Sequence, residues 1–132
     1  MKASEKFEPI FRKHDVLFAV VYGSVYRGED SGGSDIDTAV YLEGDKDHKD
    51  YTERYISLIN SLNNISEKKV DTTDIRTCRR TFASRISRNS KIIYNPKSVA
   101  GDKLDKYKSD YPDSKEIRKK REELKNRINE RI

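Results

Sequence analysis

A single cysteine, Cys78, has no partner for an internal disulfide, which fits a reducing compartment. No apolar run approaches the roughly 20 residues that span a bilayer. The first residues, Met1-Lys2-Ala3-Ser4-Glu5-Lys6, lack the apolar stretch of a secretory leader. These absences predict a soluble cytoplasmic protein with no membrane partner. Internal repeats and low-complexity tracts are missing too, and a length of 132 residues suits one domain. Hydrophobic residues are scarce, 33% against 39% charged, so the core must be thin and part of the chain solvated.

Charge is abundant but unevenly placed. Residues 1–96 hold 16 Lys+Arg against 15 Asp+Glu, whereas residues 97–132 hold 12 against 8, so the surplus of +5 sits mainly in the tail. A basic tail could reach nucleic acid or an acidic partner. Its interspersed acids favour a solvated helix of mixed sign instead.

Along the chain, Phe7, Ile10, Phe11 and His14 recur at helical spacing and predict an amphipathic helix over 2–14. His14 reads as a helix-end residue, because no cysteine or second histidine stands at ligand spacing. Residues 16–22 are continuously apolar, of strand length, and predict a buried central strand. Gly23-Ser24 ends it; a short helix is expected from Ser24 to about Arg27-Gly28, then a loop over 28–34. Residues 35–42 alternate, with Ile36, Thr38, Val40 and Leu42 facing one way and Asp35, Asp37, Ala39 and Tyr41 the other.

Tyr51, Tyr55, Leu58, Ile59 and Leu62 form a helical stripe within 48–64. A third strand is expected within 69–77, and a short helix over 79–88 with Phe82, Ala83 and Ile86 inward. A fourth strand over 90–94 is stopped by Asn95-Pro96. Residues 97–113 read as an extended connection, and Ser114 caps a last helix with a narrow stripe of Ile117, Leu124 and Ile128. The order predicts a small α/β (α+β) sandwich: a mixed sheet with helices packed on it over 1–96, then a charged, helical C-terminal tail over 97–132. Tyr22, Tyr26 and Tyr41 could stack a base, though core packing suits them better.

Chemistry concentrates between residues 23 and 37. A glycine at 23 lets the backbone approach a phosphate with no Cβ in the way. A helix start at Ser24 would aim free N–H groups and positive dipole at an anion, with the Ser24 hydroxyl as a further donor. After ten intervening residues come Asp35-Ile36-Asp37. Two carboxylates on one strand face repel each other unless a cation lies between them, and aspartate is disfavoured in strands. Hard oxygen ligands suit Mg²⁺, which takes one or two carboxylates plus substrate phosphates. A third carboxylate would complete a two-metal site. The third strand offers Asp71 and Asp74, which point to opposite faces, so only one can join; Thr72 and Thr73 blur which face is apolar.

Gly23-Ser24, ten residues, then Asp35-Ile36-Asp37 resembles the signature of the DNA polymerase β-like nucleotidyltransferase superfamily, and in length its minimal nucleotidyltransferase (MNT) branch. Arg27-Gly28 stands where that branch has Arg-Gly, and Ser34 precedes the first aspartate as there. Residues 70–75, Val-Asp-Thr-Thr-Asp-Ile, resemble the family's third strand, with threonines in place of aliphatic residues. The resemblance covers about residues 7–95.

It implies that Asp35, Asp37 and Asp71 are catalytic and bind two Mg²⁺ ions, and favours Asp71 over Asp74. Gly23 and Ser24 would hold the triphosphate of ATP, with Arg27 and Ser34 as lesser contributors. The implied reaction is attack of a hydroxyl on the α-phosphorus of a nucleoside triphosphate. MNT proteins of this size are commonly antitoxins paired with HEPN-family ribonuclease toxins, to whose tyrosine they transfer AMP. That makes a HEPN toxin the expected partner, in a hetero-oligomer. The alternatives are transfer to a small molecule or nucleic acid, and a non-catalytic antitoxin that masks its toxin.

Overall fold

The structure is a computed structural model that describes residues 3–23, 35–110 and 121–126. The first predicted helix is α1 (Ala3–Lys13). Phe7 and Phe11, one turn apart, bury the same face, and their rings meet edge to face at 6.0 Å. His14 ends this helix as expected, bonded through Nδ1 to the Ile10 carbonyl at 2.8 Å.

The apolar run forms β1 (Val16–Tyr22), antiparallel both to β2 (Ile36–Leu42) and to β4 (Ser90–Tyr94). On its other side β2 pairs in parallel with β3 (Val70–Asp74), giving the order β3-β2-β1-β4. The connection from β2 to β3 runs through α2 (Lys49–Ile65), as parallel neighbours require. The mixed sheet with packed helices is therefore present as predicted.

Helices cover both faces. On one, Phe7 and Phe11 of α1 and Tyr51, Leu58 and Leu62 of α2 pack with Ala19, Val21, Val40 and Leu42. On the other, Ala83 and Ile86 of α3 (Arg80–Arg88) and Ala100 and Leu104 of α4 (Ala100–Asp110) pack with Phe18, Val20 and Ala39. This is why β1 is apolar at successive positions: both of its faces are buried. Each such fully buried large side chain contributes about 1.5–3 kcal/mol of transfer free energy.

Two sequence expectations are corrected. Residues 97–113 are not an extended connection, because α4 occupies most of them. Its apolar content is small but correctly spaced. Ala100 and Leu104 lie one turn apart and are buried. Asn95 Oδ1 accepts from the Val99 and Ala100 amides at 3.1 and 3.2 Å and starts the helix. Arg88 Nη2 donates to the Lys108 carbonyl at 2.7 Å and ties its far end to α3. Phe82, expected inward, is 40% exposed; the buried side of α3 is Ile86 with the small residues Ala83, Ser84 and Ser87. Residues 121–126 are helical and exposed, Leu124 included, while Ser114, Ile117 and Ile128 lie outside the described residues.

Candidate active site

Strand β1 delivers Gly23 to the end of the sheet with φ +76°, a left-handed conformation that only glycine adopts without strain. A Cβ there would overlap the Asp37 carboxylate. The glycine thus serves a close approach: backbone on one side, a carboxylate directly against it.

Asp37 is held in the second position of β2, opposite Tyr22 of β1 and opposite Asp71 of β3. In-register neighbours project to the same face of a sheet, so Asp37 and Asp71 stand side by side. Asp35 immediately precedes β2, outside the strand, and is exposed. The side chain of Asp71 is 46% exposed, with Lys69 Nζ at 3.5 Å from its Oδ1.

Helix α2 fixes β3 around Asp71. Asn63 accepts from the Val70 amide at 2.8 Å and donates to the Val70 carbonyl at 3.1 Å. The Tyr55 hydroxyl donates to the Thr72 carbonyl at 2.6 Å. Both residues that flank Asp71 are therefore clasped along the edge of β3 that β2 does not pair, which also shields that edge.

Asp74 has a different environment. It is 5% exposed and lies on the α1/α2 face. It accepts from the Tyr51 hydroxyl at 2.8 Å, the Thr77 hydroxyl at 3.1 Å and the Arg76 amide at 3.1 Å. This carboxylate caps the turn after β3 and anchors α2. The two aspartates that the third strand offered are thus separated: Asp71 beside Asp37, Asp74 buried behind the sheet.

Next to the carboxylates, Tyr22 bonds Thr73 across β2, hydroxyl to hydroxyl at 3.0 Å. Burial raises the Tyr22 phenol above its usual value; the Thr73 bond opposes this, and the charges of Asp37 and Asp71 raise it further. One phenol therefore feels both carboxylates. Tyr51 is also pushed well up, by burial first and then by donating to Asp74.

Among the described residues, no three His, Cys, Asp or Glu side chains converge as a metal cluster. The donor chemistry nevertheless fits Mg²⁺, which asks for one or two carboxylates and completes its octahedron with water and substrate oxygens. Asp37 and Asp71 supply two neighbouring hard-oxygen groups; Asp35, just before β2, is not brought into a cluster with them. Ser24, Arg27 and Ser34, the other expected site residues, and Tyr26 lie outside the described residues. Sequence reasoning missed Tyr22 and Thr73 as neighbours of the carboxylates. Their contact joins residues 51 positions apart, and the only local signal is an aromatic placed directly before the turn glycine.

Residues 5–98 match the family model "Polymerase beta, Nucleotidyltransferase". No functionally curated protein matches the chain. Among solved structures, it is similar to a chain of a toxin–antitoxin crystal structure with AMP-PNP, at TM-score 0.69 and 18% identity, over 95% of this chain and 97% of that one. A second is a complex of a tri-AMPylated Shewanella oneidensis HEPN toxin with an MNT antitoxin, at TM-score 0.64 and 16% identity, over 96% and 95%. A third is the toxin–antitoxin MntA–HepT, at TM-score 0.63 and 18% identity, over 96% of each chain. At such identities the likeness is one of fold.

Proposed function

Because the chain belongs to the polymerase beta nucleotidyltransferase family, we propose that it transfers AMP from ATP to a tyrosine of a HEPN toxin partner, acting as the antitoxin. The observation that carries the reading is the placement of Asp37, pressed against Gly23 on one side and in register with Asp71 on the other. Similarity to chains from a toxin–antitoxin structure with AMP-PNP and from a complex of an AMPylated HEPN toxin with an MNT antitoxin supports the choice of nucleotide and acceptor.

The residues divide the work as follows. Gly23, with Ser24 after it, receives the triphosphate, since a bare backbone can approach phosphate oxygens. Arg27 and Ser34 assist there. Asp35 and Asp37 would hold Mg²⁺, with Asp71 as the third carboxylate. When bound, Mg²⁺ neutralises charge on the phosphates and on the attacking and leaving oxygens. Asp71 takes the proton of the tyrosine hydroxyl as its oxygen bonds to the α-phosphorus. The bond from the α-phosphorus to the α–β bridging oxygen breaks, and pyrophosphate leaves. Most of the rate comes from positioning and charge compensation.

The test is incubation with ATP labelled at the α-phosphate, Mg²⁺ and a HEPN toxin supplied with the chain. Label should appear on a toxin tyrosine with the wild type and not with Asp35→Asn or Asp37→Asn, whose circular dichroism should match wild type. Transfer by the double Asn variant at the wild-type rate would refute catalysis by this site. Equal neutralisation of the toxin by that variant would show that masking, not modification, is the antitoxin mechanism.

A further inference from the structure

We propose that Tyr22 is a positioning residue for the carboxylate pair, locking the end of β1, and with it Gly23, against Asp37 and Asp71 through its bond to Thr73. The inference rests on the nucleotidyl-transfer reading above and assigns a device within that site.

Three strands contribute the parts. Gly23 follows β1, Asp37 belongs to β2 and Asp71 to β3. Main-chain ladders hold neighbouring strands together, but Tyr22 is the last residue of β1, where ladders fray. The ladders pair its backbone with Asp37 of β2 and Ser90 of β4, and its side chain adds a tie to β3. The ring reaches from β1 over β2, and its hydroxyl meets Thr73 of β3 at 3.0 Å. The residue of β2 in register with both Val20 and Thr73 is Ala39, a small side chain that leaves the ring room to cross. On its flank the Phe82 ring meets it edge to face, centroids 6.0 Å apart at 87°. Phe82 is 40% exposed, so it braces the tyrosine from outside rather than filling a core. Tyr22 therefore spans all three strands that carry the site, with one end adjacent in sequence to Gly23.

The consequence follows from the fit at Gly23. That backbone lies so close to the Asp37 carboxylate that no Cβ fits between them. Any shift of the end of β1 is then passed to Asp37. Misplacing a reacting group by about 1 Å costs about 100-fold in rate, so loosening a single strut should cost less than that.

The experiment uses the full chain with Tyr22→Phe, Thr73→Val, Thr73→Ser and the double Tyr22→Phe/Thr73→Val, none of which changes side-chain volume greatly. Transfer kinetics and binding of Mn²⁺ alone by calorimetry are read in parallel. Each of the first two variants should lower kcat by about 10-fold with KM for ATP within about 2-fold, the pattern of lost transition-state alignment. Each should also weaken Mn²⁺ binding several-fold. The double variant should be no worse than the weaker single, since both remove one interaction. Thr73→Ser, which keeps the hydroxyl, should restore activity.

Wild-type kcat and Mn²⁺ affinity in Tyr22→Phe would overturn the proposal, as would additive losses in the double variant or failure of Thr73→Ser to rescue. Failure of the enzymatic reading looks different. The wild type would then transfer nothing, while Mn²⁺ binding would still separate the Tyr22 and Thr73 variants from it.

Discussion

Asp71 and Asp74 stand three residues apart on one strand, and removing each should damage a different property. Asp74 is 5% exposed and accepts three hydrogen bonds, from Tyr51, Thr77 and the Arg76 amide, at 2.8–3.1 Å. Bonds to a charged acceptor contribute about 1.5–3 kcal/mol each, are not additive within one cluster, and leave buried donors stranded when the acceptor goes. Asp74→Ala should therefore cost about 3–5 kcal/mol, a large share of the 5–15 kcal/mol typical of a domain. Asp74→Asn keeps one acceptor oxygen and should cost about 1–2 kcal/mol. Asp71 contrasts at each point. Its side chain is 46% exposed, and its ion pair is with Lys69, 69% exposed, at 3.5 Å. Such pairs contribute about 0–1 kcal/mol, so Asp71→Ala should leave stability nearly unchanged. Its effect should fall on the reaction, lowering the rate by about 10²–10⁴-fold as loss of a general base does. Urea denaturation followed by far-ultraviolet circular dichroism gives the stabilities. Label transfer at a urea-free temperature where each variant is folded gives the activities. An Asp71→Ala variant as destabilised as Asp74→Ala would refute this division of roles. So would a folded Asp74→Asn that loses transfer while Asp71→Ala retains it.

Three further outcomes are expected. Gly23→Ala and Gly44→Ala both force alanine to positive φ, +76° and +103°, and should each cost about 1–2 kcal/mol. Only Gly23→Ala should also lose about 100-fold in transfer, because its Cβ strikes Asp37, whereas that of Gly44 meets the movable end of Arg54 at 2.9 Å; equal activity of the two would refute the close-approach role. Burial raises the phenols of Tyr22, Tyr51, Tyr55 and Tyr107, the last to about 12 from an ordinary 10.0. These groups ionise first in the unfolded chain, so stability should be full below pH 10 and fall between about pH 10 and 12. Thermal melts across that range should show a shallower decline for Tyr51→Phe, and a parallel decline would contradict the assignment. Leu104→Ala should cost about 2–4 kcal/mol in urea denaturation, since this α4 side chain is 5% exposed in the second core; a cost below about 0.5 kcal/mol is what an exposed surface position would give.

The sequence by itself determined what depends on local geometry. Strand β1 was legible to the residue, as was β4, because a short apolar run bounded by Gly23-Ser24 and by Asn95-Pro96 has few other readings. The alternation that puts Asp37 on the face of Ala39 and Tyr41 followed from the two-residue period of a strand, and the stripe of α2 from the 3.6-residue turn. Helix α4 is hard to see in sequence because Ala100 and Leu104, its buried residues among those described, make a weak periodic signal; its contacts with α3 and β1 supply what the pattern lacks. The hydrophobicity of Phe82 argues for burial, but it is Ile86 and the small residues Ala83, Ser84 and Ser87 that fit the interface. Periodicity alone left Asp71 and Asp74 unresolved, and beyond the family resemblance it is the tertiary structure that separates them. The two differ by an odd number of positions in a strand whose threonines carry no facial preference. What distinguishes them is the partner each meets: Asp37 in parallel register on one face, and the Tyr51 hydroxyl from α2 on the other. Likewise Gly23 declares freedom from a Cβ in sequence, but that the vacant space is taken by the Asp37 carboxylate is a fact of folding, because it joins residues from two strands that only the sheet brings together.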